Sequence, residues 1–245
     1  MDRKIALVTG AAGGIGTAIC RRLVADGYRV AATDLDQAGL EALKADLGDG
    51  AVVYPADQTD EAAMVALVGK IEAELGPIEA FVNVTGWTHA TRFETEDSAY
   101  WSKVVAINYM ALLYTVQPVL KRMISRKRGA MVFIASDAGK VGTATEAVYA
   151  GAKGAVIAFA KSIARENARH TININCVAPG PTETPLYVAE EKENPEIIAR
   201  MLKAIPFRRP AQPADQASAV SFLLSKDASY VTGQTLSVSG GLTMI

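Results

Sequence analysis

The amino-acid sequence predicts an α/β protein: a doubly wound parallel sheet of about seven strands with helices on both faces. Three observations carry this expectation. Short apolar runs with little alternation recur along the 245 residues, as strands buried on both faces require. Stretches with apolar residues at helical spacing separate them. The first run leads straight into a glycine cluster, Gly10-Ala11-Ala12-Gly13-Gly14-Ile15-Gly16, before a helix begins.

Residues 4–9 read as the first strand. A helix follows over 15–25, because Ile15, Ile19, Leu23 and Val24 share one stripe, and Gly27 ends it. Residues 28–33 form the second strand, and 35–47 a helix closed by Gly48. The third strand spans 51–54, its helix 61–75 stops at Gly76-Pro77, and the fourth strand is 78–82. Helices then lengthen. One runs from Ser98, a candidate N-cap, to about Lys127, where a basic end suits the helix dipole. Strand five (130–135), a small-residue helix (148–168) and strand six (171–178) continue the alternation. The Pro- and charge-rich stretch 179–213 breaks it and is long enough for a lid, at about 181–213. A helix over 214–224 and a strand over 234–238 finish the chain. No linker or repeat interrupts, so one domain over 1–245 is expected.

Composition narrows the function. Half the residues are hydrophobic and 21% charged, which supplies a core and excludes disorder. Lys and Arg number 25 against 26 Asp and Glu, so no basic excess points to nucleic acid or an anionic membrane. Cys20 and Cys176 make no disulfide framework and read as reduced thiols. Neither a signal-peptide pattern nor an unbroken apolar run of membrane-spanning length is seen, so a soluble, cytoplasmic protein is expected.

A glycine-rich turn between strand and helix lets backbone approach a pyrophosphate, whose charge meets N–H groups at the helix start. Here the glycines are Gly10, Gly14 and Gly16, not the usual G-x-G-x-x-G. Asp34 lies 18 residues after Gly16, where a carboxylate accepts hydrogen bonds from a ribose and repels a 2′-phosphate. Neither Gly13 nor Leu35 is basic, so NAD is expected over NADP. Asp34 could equally cap the next helix.

Tyr149 and Lys153, at i and i+4, share a helix face. A phenol with pKa near 10 transfers protons at neutral pH only if its anion is stabilised, which a neighbouring ammonium would do. Ser136 follows strand five at the carboxyl edge, where open α/β sheets place ligands.

Thr9-Gly10-x-x-x-Gly14-x-Gly16, Asn108, Ser136, Tyr149-x-x-x-Lys153, Pro179-Gly180 and the closing Gly233-Gln234 and Gly240-Gly241 together resemble the short-chain dehydrogenase/reductase family over essentially the whole chain. The resemblance implies a Rossmann-type fold and hydride transfer at a nicotinamide, coupled to proton transfer through Tyr149. It implies that Lys153 lowers the tyrosine's pKa and binds the nicotinamide ribose. Ser136 would orient the carbonyl or hydroxyl, and Asn108 would hold a water linking Lys153 to solvent. Cofactor contacts are implied for Gly10, Gly14, Ile15, Gly16, Asp57, Asn83, Gly86, Pro179, Gly180 and Thr184. Read alone, Asp57 is equally a turn residue and Asn108 a buried helix contact. One departure stands out: Asn83-Val84-Thr85-Gly86 replaces the family's usual Asn-Asn-Ala-Gly. The family also implies a homotetramer or homodimer, for which the small residues Ala150, Ala152, Ala155 and Ala160 would permit close helix packing, though they could equally face the sheet.

Substrate candidates are Trp87, Val141, Tyr187, Met201 and Phe207 as an apolar wall, and His89 on a loop. His170 reads as structural. Arg200, Lys203, Arg208 and Arg209 could pair with phosphates of an acyl-CoA or form a solvated face. Segments 134–139, 146–149, 176–184 and 237–244, with Trp87, resemble 2-hydroxycyclohexanecarboxyl-CoA dehydrogenase-like members. The implied substrate is a cyclic 2-hydroxyacyl-CoA or another cyclic or aromatic alcohol. A 3-oxoacyl-thioester (ACP or CoA) reductase is the alternative, against which Asp34 speaks because that work normally draws on NADPH. A non-catalytic NAD-binding sensor is the alternative of another class.

Overall fold

The computed structural model describes residues 3–193 and 195–245. Seven strands form a parallel sheet: β1 (Ile5–Thr9), β2 (Arg29–Asp34), β3 (Ala51–Pro55), β4 (Ile78–Asn83), β5 (Gly129–Ile134), β6 (Ile172–Pro179) and β7 (Thr235–Val238). Their order is β3-β2-β1-β4-β5-β6-β7, a Rossmann-type arrangement. The chain winds outward from β1 to β3, then returns to place β4 beside β1. Connections therefore leave β1 and β4 in opposite directions, which opens a crevice at their carboxyl ends.

The helices are α1 (Gly14–Ala25), α2 (Gln37–Leu47), α3 (Glu61–Leu75), α4 (Ser98–Val105), α5 (Ala111–Arg126), the short α6 (Ala138–Val141), α7 (Ala147–Asn167), α8 (Pro185–Glu193), α9 (Pro195–Ala204) and α10 (Pro213–Leu224). Alternate strand residues face opposite sides, so the sheet carries two cores. Leu7, Phe81, Met131 and Phe133 pack with Met64 of α3, Leu112 of α5 and Val156 of α7. Ala6, Val8, Val82 and Val132 pack on the other face with Ile19 of α1, Leu40 of α2 and Val220 of α10. Ala152 and Ala160 turn inward, while Ala150 and Ala155 stay half-buried. The helical segments 98–126 and 147–170 are apolar enough, at mean hydropathy 1.2, to pass for membrane spans by length and composition. Their apolar faces belong to the first core, which accounts for that composition.

Several strands outlast their apolar runs because ladder pairing continues into polar residues. Asn83 pairs with Thr9 and Phe133, and Pro179 with Val238. This puts Thr9, Asp34 and Asn83 on the carboxyl edge. The long helix after β4 is interrupted: a π-helical stretch, Ala106–Met110, joins α4 to α5. Within the 179–213 stretch, α8 and α9 rise from a narrow neck. There Thr182 bridges to Ala211, Ala211 N donates to Pro181 O (2.9 Å) and Glu183 N to Ala211 O (2.8 Å).

The N-cap of α4 is Asp97, not Ser98. The Asp97 carboxylate accepts from Tyr100 N at 2.8 Å, and Ser98 is the first helical residue. A charged acceptor at the positive helix end outcompetes the hydroxyl next to it. Replacing Asp97 with Ala should therefore cost about 1 kcal/mol and lower the melting midpoint by roughly 2–4 °C in a chain of this size. Ser98→Ala should leave the midpoint nearly unchanged; calorimetry on both variants checks the assignment.

Candidate active site

The glycines after β1 are each shaped by a close approach. Gly10 has φ +65°, and a Cβ there would lie 2.8 Å from Thr85 N. A Cβ on Gly16 would fall 2.0 Å from Gly10 O, so only glycine lets α1 start directly against the turn. Gly14 faces Thr184 and Pro185, each 3.1 Å from where its Cβ would be. Gly13 heads α1 without a capping side chain, which leaves the positive helix end to an anion. Ile15 packs its side chain against the second core and offers the turn only backbone.

Asp34 ties this turn to β2. Its Oδ2 accepts from Ala12 N and its Oδ1 from Asp36 N, both at 3.0 Å. Asp36, not Asp34, caps α2, by accepting from Gly39 N. Asp57 is exposed after β3 and holds a turn, accepting from Thr59 N (2.8 Å) and Thr59 Oγ1 (2.7 Å). Buried Asn83 accepts from Thr9 Oγ1 at 3.0 Å. Thr85, at the departure from the family pattern, donates its hydroxyl to the buried amide oxygen of Gln58. Gln58 has no periodic or motif signal in the sequence, and only its place beside Asp57 hints at it.

Beyond Gly86 the polar groups converge. Asn108, fully buried in the π-helical stretch, donates Nδ2 to Trp87 O (2.7 Å) and Val104 O (2.9 Å) and accepts from Trp87 N (3.1 Å). The extra residue per turn of a π-helix re-aims one side chain, and such turns gather at functional sites. Lys153 is 2% exposed and donates Nζ to Ile134 O at 3.0 Å. A Cβ on Gly86 would lie 3.0 Å from both Asn108 Oδ1 and Lys153 Nζ, so Gly86 leaves the cradle that both heads enter. Gly139, unremarked in the sequence, lets α6 press on α7: its Cβ would come within 2.7 Å of the Lys153 carbonyl carbon. Ser136 Oγ accepts from Ala138 N, the first residue of α6 (3.1 Å), and interacts with Tyr149.

Lys153 Nζ lies 5.7 Å from the centre of the Tyr149 ring. The phenol is nevertheless not acidified in the protein as it stands. Burial and then the Glu146 carboxylate push its pKa up to about 12, and only the bond to Ser136 works against them. Burial also pushes the Lys153 ammonium down to about 8, partly offset by Cys176. Without a nicotinamide beside it, desolvation of the phenolate is the dominant influence on Tyr149.

Residues 179–184 close the other wall. Pro179 O accepts from Asp137 N (3.1 Å), and a Cβ on Gly180 would collide with Ser239 Cβ at 2.6 Å. Thr184 accepts from Tyr187 N at 3.3 Å at the start of α8, which places it over the glycine turn. Trp87 is clamped between Tyr100 (5.8 Å between ring centres) and Lys103, whose Nζ sits 3.9 Å over the indole. His89 is exposed, and its carbonyl accepts from Tyr100 OH. Val141 and Phe207 are exposed, Met201 is half-buried and Tyr187 is buried in α8. Arg209 is engaged by Asp215 at 2.9 Å, which holds that carboxyl below its usual range, and Arg208 donates to Lys203 O. Arg200 and Lys203 are exposed.

Comparison with known proteins agrees with this geometry. Residues 10–243 match the family profile described as Enoyl-(Acyl carrier protein) reductase. The chain is 39% identical to the acetoacetyl-CoA reductase of Acinetobacter sp. (strain RA3849), covering 99% of each. It is 35% identical to the 2,3-dihydro-2,3-dihydroxybenzoate dehydrogenase of Bacillus subtilis (strain 168), covering 100% of this chain and 97% of that one. A crystal structure of a single-residue variant of actinorhodin polyketide ketoreductase with NADPH superposes with a TM-score of 0.94 at 33% identity, over 98% of this chain and 97% of that one. The chain belongs to the short-chain dehydrogenase/reductase family and is an oxidoreductase that interconverts alcohols and ketones.

Proposed function

We propose that the chain transfers hydride between NAD(H) and a secondary alcohol or ketone, with Tyr149 as the proton donor and acceptor. The observation that carries the reading is the grouping of Tyr149 and Lys153 with Ser136 at the carboxyl ends of β4 and β5, where Lys153 Nζ lies 5.7 Å from the Tyr149 ring centre and donates to Ile134 O. The glycine turn and uncapped α1 fit a pyrophosphate, and the cradle at Gly86 fits a ring and ribose approaching Lys153 and Asn108. Gly10, Gly14, Ile15 and Gly16 would hold the phosphates, Asp34 and Asp57 the adenosine, and Asn83, Gly86, Pro179, Gly180 and Thr184 the nicotinamide side. A bound nicotinamide would supply the hydride when reduced, and would accept it and add positive field near Tyr149 when oxidised. The chain's own residues do the rest. At neutral pH the phenol holds its proton, ready for a developing alkoxide. Ser136 orients the same oxygen, Asn108 holds the segment after β4 through Trp87, and Gly139 lets α6 press on the helix that carries Lys153.

Asp34 supports NAD over the NADPH named for the ketoreductase. Its carboxylate faces the turn where a 2′-phosphate would have to sit, and exposed Leu35 offers no countercharge. For the substrate, the two relatives are named for a CoA thioester and a ring diol; a cyclic 2-hydroxyacyl-CoA unites these features. The segment at about 181–213 would serve as its lid, with Trp87, His89, Val141, Tyr187 and Met201 toward the substrate. A second reading, 3-oxoacyl-thioester reduction, is favoured by the likeness to acetoacetyl-CoA reductase. Rates with cyclic 2-hydroxyacyl-CoAs, free cyclic alcohols and 3-oxoacyl thioesters separate the two, and activity on free alcohols alone removes both. We place the enzyme in the cytoplasm as a single-domain homotetramer or homodimer; the exposed stack of Phe93 on Trp101 of α4 supports the assembly.

Tyr149→Phe should lower turnover at least about a hundredfold, the scale of lost general acid–base catalysis, while NADH still binds. Near-normal turnover would defeat the mechanism. Asp34→Asn should cut the ratio of kcat/KM for NAD over NADP by at least about tenfold, or roughly 1.4 kcal/mol; a parent enzyme that already prefers NADP overturns the coenzyme choice. The buried ammonium gives a third test. Below pH 8 Lys153 is charged in both states and its burial weighs against folding. As pH climbs from about 8 to 10.5 the folded chain releases that proton first, so this handicap fades. Lys153→Met should therefore melt a few degrees higher at pH 7, an advantage on the order of 1 kcal/mol that shrinks by pH 10. Melting curves of both proteins across that range measure it.

A further inference from the structure

The replacement of the family's Asn-Ala by Val84-Thr85 has a structural counterpart in Gln58. β3 and β4 are not neighbours: β2 and β1 lie between them. Their ends are three inter-strand gaps apart, about 14 Å at roughly 4.8 Å per gap. A direct hydrogen bond from Thr85 to Gln58 therefore requires the two following turns to lean toward each other across the carboxyl ends of β1 and β2. Thr85 also presses on the glycine turn, since its N–H nitrogen lies 2.8 Å from where a Gly10 Cβ would be. On the far side, Gln58 sits between Asp57 and Thr59, the two residues that form the β3 turn. On the near side, Gly86 follows Thr85 and opens onto Lys153 and Asn108. The bond thus joins the end of the crevice assigned to adenosine with the end assigned to nicotinamide. Val84, meanwhile, packs against the second core and makes no such link.

We propose that Thr85 and Gln58 form a positioning pair that sets coenzyme affinity in this chain, by holding the β3 and β4 turns in register around the glycine turn. The inference rests on the dinucleotide reading above. Gln58 is 6% exposed, so an unmet amide oxygen there would be costly and the pair acts as a unit. Neither side chain needs to touch the reacting atoms. Loss of the bond lets the two turns separate, which weakens binding of the whole dinucleotide and leaves the proton donor untouched.

The test measures the NADH dissociation constant by its fluorescence, together with kcat at saturating coenzyme, for the full-length parent, Thr85→Val, Gln58→Met, the double variant and Thr85→Ser. Each single variant should bind NADH about five- to twentyfold more weakly, with kcat within about twofold of the parent. The double variant should be no weaker than the worse single one, and Thr85→Ser should restore parental binding. Parental affinity in Thr85→Val, or losses that multiply in the double variant, overturns the proposal. So does a lowered melting point with unchanged affinity, which marks the pair as merely structural. If Thr85→Val does not fold, Gln58→Met and Thr85→Ser carry the same contrast. The parent reports separately on the coenzyme: a parent that binds NADPH and not NADH overturns the NAD assignment, and the series is then read with NADPH by the same criteria.

Discussion

A lysine whose ammonium lies inside the protein governs how this site is built. Taking such a charge out of water is costly, and the group answers by losing basicity, as the descent of Lys153 to about 8 shows. Its Nζ donates to Ile134 O at the end of β5, and Cys176 offsets part of the loss. Everything near the ammonium makes room for that arrangement. Gly86 and Gly139 lack the Cβ atoms that would collide with the lysine's head and backbone. The π-helical turn at Asn108 brings an amide to the same point while fastening both backbone groups of Trp87. Backbone, glycine and one helix irregularity together replace the solvent shell.

The tyrosine obeys the same electrostatics with the opposite outcome. Burial disfavours the charged form of each group, which lowers the basicity of a lysine and raises the pKa of a phenol. Lys153 and Tyr149 are therefore both held in their protonated forms at neutral pH, and the cation alone does not acidify the phenol. Glu146, one helical turn before Ala150, adds to the rise. A site left in this balance keeps the proton on the phenol.

Much of this is legible in the sequence because the signals are periodic or local. Buried parallel strands show as unalternated apolar runs, and the α3 boundaries, Glu61 and Leu75, are marked by the onset of a stripe and by Gly76-Pro77. The i, i+4 spacing puts Tyr149 and Lys153 on one helix. What cannot be read is set by tertiary approach. Nothing in the spacing says that Gln58 meets Thr85 across two intervening strands, that Gly139 lies on the backbone of Lys153, or that Asn108 sits in a π-helical turn. The helices α8 and α9 are hidden by their charge and prolines, although their neck at Thr182 and Ala211 is tied by ordinary backbone bonds. The sign of the tyrosine's shift escapes a sequence reading for the same reason, since spacing reports a neighbouring charge but not the burial that outweighs it.

The placement of order within the crevice separates chemistry from selection. Thr9, Asn83, Asn108 and Lys153 are buried, and each is held by bonds to backbone or to another buried side chain. Groups farther from the sheet edge are held differently. Val141 and Phe207 are exposed, Trp87 leans on a surface lysine, and α8 and α9 connect to the sheet through their narrow neck. Segments with few buried contacts open at low free energy, while a core-anchored constellation opens only with the whole domain. Substitutions on the outer segments therefore cost little stability, whereas those that break a buried bond, as at Asn108, disturb the crevice and the fold together. One rigid edge of a sheet can in this way keep one reaction while its covering helices vary the substrate.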